Sequence, residues 1–243
     1  MRLNRYLAAS GIASRRKSVN LVRSGRVEVN GETVTNPFQE VSRDNRVTLD
    51  GEQVFPAVET VVVLLNKRKG VLTTVRDDRG RPTVLDPIKS EERLFPVGRL
   101  DRDTTGVLLL TNDGDLAYRL THPKFEVEKI YNVTVDRPIP EKDLRKIERG
   151  VEIGQGEKGQ AQVLGQEGGV SRDRGKSLAC VQLRLTHGKK REIRRMVSAL
   201  GYRVIHLHRE SFAGFRAEGL APGRWRQLTS SEVKELMERT SWQ

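Results

Sequence analysis

The segment Gly98-Arg-Leu-Asp-Arg-Asp-Thr-Thr-Gly-Val-Leu-Leu-Leu-Thr-Asn-Asp-Gly114 constrains this chain more than any other. Phe95–Val97 and Val107–Leu110 are apolar runs that read as two strands, so the polar residues between them must turn the chain. That turn carries Asp101, with a threonine pair and Gly106 directly behind it. A carboxylate fixed on a tight turn beside Arg99 suits covalent or acid–base chemistry better than solvation. Two plainer fates compete: Asp101 holds its own turn, or it pairs with Arg99. Asp103, the nearest rival acid, is expected to cap the turn or pair with Arg102.

The acid sits in a cationic chain. Lysine and arginine number 44 against 32 acidic residues, a formal charge of +12. Such a surplus favours phosphate-rich partners, because neutralising phosphates releases counterions. With 36% apolar residues the chain can bury a core, yet no apolar run approaches the roughly 20 residues that cross a bilayer. No membrane association is therefore expected. A single cysteine, Cys180, excludes an internal disulfide and fits a reducing, cytoplasmic setting. It lies in a strand-like run and reads as inert filling. His206 and His208 share a strand pattern but lack a third ligand at suitable spacing, so no metal site is expected. Seven basic residues precede the first acid, Glu28. That composition resembles a transit peptide, but the segment has a structural reading of its own.

Leu3, Tyr6 and Leu7 share one helix face, and Gly11 ends that helix. Ser14 caps a second helix running to Ser24, with Val19 and Val22 inward and Arg15, Arg16 and Lys17 in its first turn. Val27 and Val29 alternate into Asn30-Gly31, a strong hairpin turn, and Val47–Gly51 repeats the device. Cations at a helix start oppose the macrodipole, so phosphate contact explains Arg15, Arg16 and Lys17 better than solvation does. Pro56–Thr60 reads as a linker, which sets two domains, 1–56 and 61–238.

In the second domain Val61–Leu65, Lys129–Val135 and Leu178–Leu185 read as strands. Asp115–Leu120, Glu141–Arg149, Glu192–Leu200 and Glu232–Arg239 read as helices. Helices do not alternate regularly with strands, so the class is α+β with a mostly antiparallel mixed sheet. Residues 154–175 read as a mobile loop around one β segment. They contain Gly154, Gly156 and Gly159 in the dinucleotide-binding spacing, but a strand-like run follows where a helix should start. Nucleotide binding there is rejected.

Two further segments bear on chemistry. Glu128–Val133 puts Lys129, Tyr131 and Val133 on one strand face. Gly188–Met196 is a glycine turn opening a cationic helix that carries Lys189, Arg191, Arg194 and Arg195. Acid, aromatic and guanidinium together suit the handling of a nucleotide in RNA: the ring stacks on a base, the cation keeps the acid ionised, and the acid reacts. Singly, each has a plainer reading as turn former, strand filler or solvated charge.

The N-terminal segment resembles the S-four RNA-binding domain, in which a basic helix start lies against RNA backbone. The Asp101 segment, the Lys-x-Tyr strand and the Gly-x-x-Arg-x-Ile-Arg-Arg-Met helix are similar, in order, to three motifs of the RsuA/RluB family of ribosomal RNA pseudouridine synthases. The resemblance implies Asp101 as the catalytic aspartate, Tyr131 as the active-site tyrosine and Arg194 as the basic partner of Asp101. It further implies RNA contacts from Arg15, Arg16, Lys17, Arg99, Lys129, Lys189, Arg191 and Arg195. The sequence looks most like the RluB branch, which acts on large-subunit RNA. It departs from the pattern at Arg68, where proline is usual, and at Lys190 and Glu192, which replace Asn and Gln; the glutamate is expected to pair with a neighbouring arginine. The reaction breaks the bond from uracil to ribose, rotates the base and rejoins it through carbon, so it implies neither cofactor nor metal. Ribosomal RNA or a subunit precursor is the expected partner, and a monomer the expected state. The alternatives are a small-subunit RNA synthase, a non-enzymatic RNA-binding assembly factor and another RNA-modifying enzyme such as a methyl transferase.

Overall fold

The computed structural model describes residues 1–42, 44–57, 59–173 and 176–239, without the side chains of 169–173 and 176. It resolves into two compact units. The first is Met1–Val61 with Ser90–Leu94 and Thr111–Gly114; the second is Val62–Lys89, Phe95–Leu110 and Asp115 onward.

In the first unit, helices α1 (Leu3–Ala9) and α2 (Arg15–Arg23) precede four short strands, β1 (Val27–Val29), β2 (Glu32–Thr33), β3 (Val47–Leu49) and β4 (Glu52–Gln53). The sheet order is β2-β1-β3-β4, with every ladder antiparallel. Both tight turns hold two successive residues at positive φ, Asn30-Gly31 and Asp50-Gly51, as their sequences require. Ser14 caps α2 by accepting a hydrogen bond from the Lys17 amide. The helix turns Ser18 and Val22 inward, and Val19 is only half-buried, so its buried row differs from the expected valine pair. Leu3, Tyr6, Leu7, Val22, Val27 and Val47 make the small core. Val58, within the expected linker, lies outside the described residues.

The second unit begins with β5 (Val62–Lys67), β6 (Phe95–Pro96), β7 (Thr105–Thr111), α3 (Gly114–Thr121), β8 (Lys129–Val135) and α4 (Glu141–Arg149). Then come β9 (Val151–Glu152), β10 (Lys158–Gly159), β11 (Gln162–Asp173), β12 (Lys176–Leu185) and α5 (Glu192–Ala199). The last elements are β13 (Val204–Phe212), β14 (Phe215–Arg216), β15 (Trp225–Gln227) and α6 (Ser230–Arg239). The main sheet runs β11-β12-β8-β13-β7-β5-β15, with β14 on β13 and β6 on β7. Most of its assigned ladders are antiparallel; β13 and β7 run parallel. An α+β unit with a mixed, mostly antiparallel sheet results, as composition and pattern predict.

Two apolar clusters flank the middle of this sheet. One gathers Val133, Val135, Leu144, Ile147, Leu183, Ile193 and Met196 under α4 and α5. The other gathers Val62, Leu64, Val107, Leu109, Leu116, Leu120 and Leu236 under α3 and α6. β5 and most of β7 are buried along their length, which is why both read as continuous apolar runs rather than alternating ones.

The expected mobile loop at 154–175 is a different object. Its glycines turn the β9–β10 hairpin, with Gly154 and Gly156 at positive φ, and Gly159 leaves room for Met196, whose Sδ lies 2.8 Å from where a Cβ would stand. Its second half is β11, paired with β12 along a long antiparallel ladder. Polar composition there marks an outer strand, and residues 174–175 lie outside the described chain.

Candidate active site

The Asp101 turn is held from below by one lysine. Lys67 ends β5 at 1% exposure, and its Nζ donates to the carbonyls of Thr104 (2.8 Å), Asp101 (3.1 Å), Arg68 (3.2 Å) and Arg102 (3.4 Å). Burial pulls this ammonium down to about 8, against the opposing pull of Asp103 and Asp101. Thr73 adds a second tie: its hydroxyl donates to the Leu100 carbonyl at 2.7 Å and accepts from the Leu100 amide. The Gly70 amide takes the Arg102 carbonyl, and Thr104 N–H closes the turn onto the Asp101 carbonyl. Almost every carbonyl of the turn is thereby engaged, and the Asp101 side chain is left 37% exposed. Lys67 and Thr73 were invisible as site residues in the sequence, because a strand end and a loop threonine carry no local mark of what they support.

The guanidinium nearest Asp101 belongs to Arg191. Its Nη1 lies 3.5 Å from Asp101 Oδ2, at the limit of a hydrogen bond, and 3.6 Å from Asp103 Oδ1. Arg191 sits just before α5 in the left-handed region (φ 52°, ψ 34°), so it leaves the helix direction and spans both carboxylates. Arg194, expected to partner Asp101, instead pairs with Asp103: Nη2 is 3.1 Å from Oδ2 and 3.3 Å from the backbone oxygen. Asp103 accordingly pairs with Arg191 and Arg194 rather than Arg102. Burial lowers the Arg194 pKa, with Asp103 pulling it back up, but a guanidinium stays protonated throughout. The buried Arg194 Nε and Thr104 Oγ1 have no hydrogen-bond partner among the described residues.

Tyr131 lies half-buried on β8, between Leu183 of β12 and Arg209 of β13 in register. Arg209 in turn stands opposite Gly106, at the start of the strand leaving the Asp101 turn. A Cβ on Gly106 would come within 2.2 Å of the Arg209 carbonyl, so only glycine permits this parallel approach. The Arg209 side chain is 2% exposed, donates Nε to the Val107 carbonyl at 2.7 Å and stacks over Phe212. Sequence reading missed it, since one arginine in a mixed strand looks like any edge cation.

Several residues expected to contact RNA have partners within the protein. Lys129 Nζ donates to the carbonyls of Val127 (2.8 Å) and Thr186 (3.0 Å), and burial, then the Arg209 charge, lower it to about 8. Arg195 donates to the carbonyls of Ile153, Gly154 and Lys190 and pairs with Glu157 at 2.8 Å. Lys189 Nζ reaches the Lys158 carbonyl. Among the described residues Glu192 meets no arginine: its carboxylate accepts from the Lys189 amide at 2.8 Å and sits 2.7 Å from His187 Nε2. Arg99 remains exposed beside the turn, and Arg15, Arg16 and Lys17 are exposed on the first turn of α2.

Asp101 on its pinned turn has Arg191 beside it and Arg194 on the neighbouring Asp103, while Tyr131 lies on β8, separated from β7 by β13. Residues 61–199 match the family model described as RNA pseudouridylate synthase, and residues 1–47 match the S4 domain. The chain belongs to the RNA pseudouridylate synthase family. It is therefore an isomerase acting on RNA, with an S-four RNA-binding domain ahead of the enzyme domain. It is 41% identical to the ribosomal large subunit pseudouridine synthase B of Bacillus subtilis, over 97% of this chain and 95% of that one. It is 34% identical to the dual-specificity RNA pseudouridine synthase RluF of Escherichia coli, over 97% of this chain and 78% of the relative. Among solved structures, a pseudouridylate synthase superposes with a TM-score of 0.66 at 28% identity, covering 97% of this chain and 99% of that one.

Proposed function

We propose that this protein converts a uridine of large-subunit ribosomal RNA to pseudouridine, with Asp101 as the reacting acid. Residues 1–56 grip the RNA through Arg15, Arg16 and Lys17, and residues 61–238 carry the chemistry. The observation that carries the reading is the Asp101 turn itself: Lys67 and Thr73 spend themselves on its carbonyls and leave the carboxylate half-exposed beside Arg191. A turn pinned so heavily holds one reactive geometry with little left to reorganise. The large-subunit target is supported by the name of the Bacillus relative.

The uridine flips out of the RNA and stacks on Tyr131, at a cost of a few kcal/mol that phosphate contacts offset. Asp101 then attacks the anomeric carbon or removes the 2′ proton; on either route the bond from N1 to C1′ breaks, uracil leaves as its anion, turns and rebonds through C5, and the C5 proton is lost while N1 regains one. Arg191 keeps Asp101 ionised as RNA covers the site, since desolvation alone raises a carboxylate pKa. Arg194 holds Asp103 and so fixes the far side of the same turn. One carboxylate is enough because no water needs directing; RNA covering the site keeps water from capturing the opened sugar. The deciding experiment maps pseudouridines in ribosomal RNA from cells with and without the protein. One large-subunit position is expected to disappear with the gene and return with wild-type protein but not with Asp101→Asn. An unchanged map rejects the assignment.

A further inference from the structure

The enzyme unit carries a second group of aromatic and cationic side chains, on the outer face of α3 and the turn after it. The helix buries Leu116 and Leu120, which puts Tyr118 on the opposite side, 47% exposed. His122 follows one turn later, and its Nδ1 accepts from the Lys124 amide to cap a short 3-10 turn, Pro123–Phe125. The rings of Tyr118 and His122 lie 4.8 Å apart, and Phe125 meets Tyr118 edge-on at 5.8 Å. Lys124 Nζ stands 5.5 Å from the Tyr118 ring centre and 4.7 Å from that of Phe125. Phe125 is anchored against the apolar cluster under α3, whereas Tyr118, His122 and Lys124 are exposed. Arg119 shares the helix and Arg99 lies on the neighbouring turn; Glu126 is the nearest acid in the segment.

We propose that Tyr118, His122 and Lys124 form a stacking platform for an unpaired base that flanks the target uridine. The inference rests on the RNA-modifying reading above and adds where the neighbouring strand lies. Exposed rings with an ammonium over them suit a flat π-face that carries a phosphate, while a protein partner would need a larger apolar patch. Duplex RNA offers only edges and backbone here, so the occupant is single-stranded. Its position follows from Gly98: a Cβ there would lie 3.4 Å from Thr121 Cγ2, so the end of α3 packs against the strand that leads into the Asp101 turn. Three residue steps lead from Gly98 to Asp101, a span of roughly 10 Å at most. Tyr118 lies one helical turn before Thr121, so a base on it belongs to a nucleotide within a few of the flipped one, and it fixes the strand without reading its sequence.

The test uses the full chain and a short single-stranded RNA. Irradiating the complex with a bromouridine-substituted strand should cross-link the peptide that contains Tyr118 and His122. Tyr118→Ala should weaken binding of the unsubstituted strand roughly 5- to 100-fold. The salt slope should hold, because no charge is removed. Tyr118→Phe should restore affinity. Cross-links confined to other segments, affinity within twofold of wild type in Tyr118→Ala, or an equal loss for a matched duplex would each overturn the platform. Wild-type protein that binds the strand yet modifies no uridine of ribosomal RNA would sink the ribosomal target proposed above and leave the platform standing.

Discussion

Two helices in this protein start with a run of positive charge, and they use it in opposite ways. At the start of α2, Arg15, Arg16 and Lys17 point into solvent, capped only by Ser14 beneath them. Around the start of α5, Arg195 and Lys189 meet backbone carbonyls and Glu157, and Arg191 and Arg194 meet the two aspartates of the Asp101 turn. In sequence the runs look alike. Packing decides the difference: the turn before α5 is itself exposed, but it stands beside the carbonyls of Ile153, Gly154 and Lys158 and the carboxylates of Glu157, Asp101 and Asp103, which take up its cations, whereas α2 rests on a small core and opens outward. A basic helix start is thus a prediction of charge, and whether that charge is available to RNA is settled by the neighbours it meets.

The contrast can be broken experimentally, beginning with the acid that α5 surrounds. Asp101→Asn should lower the isomerisation rate by about 10²–10⁴-fold or more, while RNA affinity stays within a few fold. Retained turnover in a single-turnover assay would remove Asp101 from the chemistry. Next comes the solvent-facing run. Replacing Arg15, Arg16 and Lys17 together with glutamine should weaken RNA binding and flatten its dependence on salt by roughly two to three units of log–log slope. The melting temperature should hold or rise slightly, since cations at that helix end oppose its dipole. A titration at several salt concentrations checks the slope, and an unaltered one would mean that these residues touch no phosphate.

Arg195→Ala should do the reverse. It removes three carbonyl contacts and a half-exposed ion pair, so a loss of about 1–3 kcal/mol in stability is expected by denaturant titration, with the salt slope of RNA binding unchanged. A flattened slope would erase the distinction between the two helices. The smallest effect concerns the buried ammonium groups. Lys67 and Lys129 both titrate near about 8 in the folded chain, against 10.5 as the ordinary value. Between those values the unfolded chain binds more protons, so these two groups make stability rise with pH from about 8 upward. Lys67→Met should remove part of that rise; a wild-type curve that falls through this window would contradict the burial of both groups.

Sequence reading found most of the scaffold, and the reason is physical. Lys129–Val135 and Glu141–Arg149 match their strand and helix residue for residue, because side-chain alternation and the Leu144–Ile147 stripe are local signals. The Asp101 turn was legible for the same reason, as polar residues between two apolar runs. Partner choice was not legible. That Arg191 and not Arg194 meets Asp101 depends on a left-handed residue before α5, and no side chain there announces it. Leu178–Leu185 was legible within β12, but β11 showed only as one β segment in a loop, because an outer strand with a polar face has the composition of a loop. Lys67 and Arg209 escaped notice because burial of a charge is a tertiary fact.

Lys67 belongs to a strand that the chain lays down more than thirty residues before the acid it supports. Until that strand docks, the turn lacks the ammonium that gathers the Asp101, Arg102 and Thr104 carbonyls. If Asp101 is the reacting acid, a partly opened molecule is in this sense disarmed, and reactivity arrives together with the finished sheet rather than ahead of it.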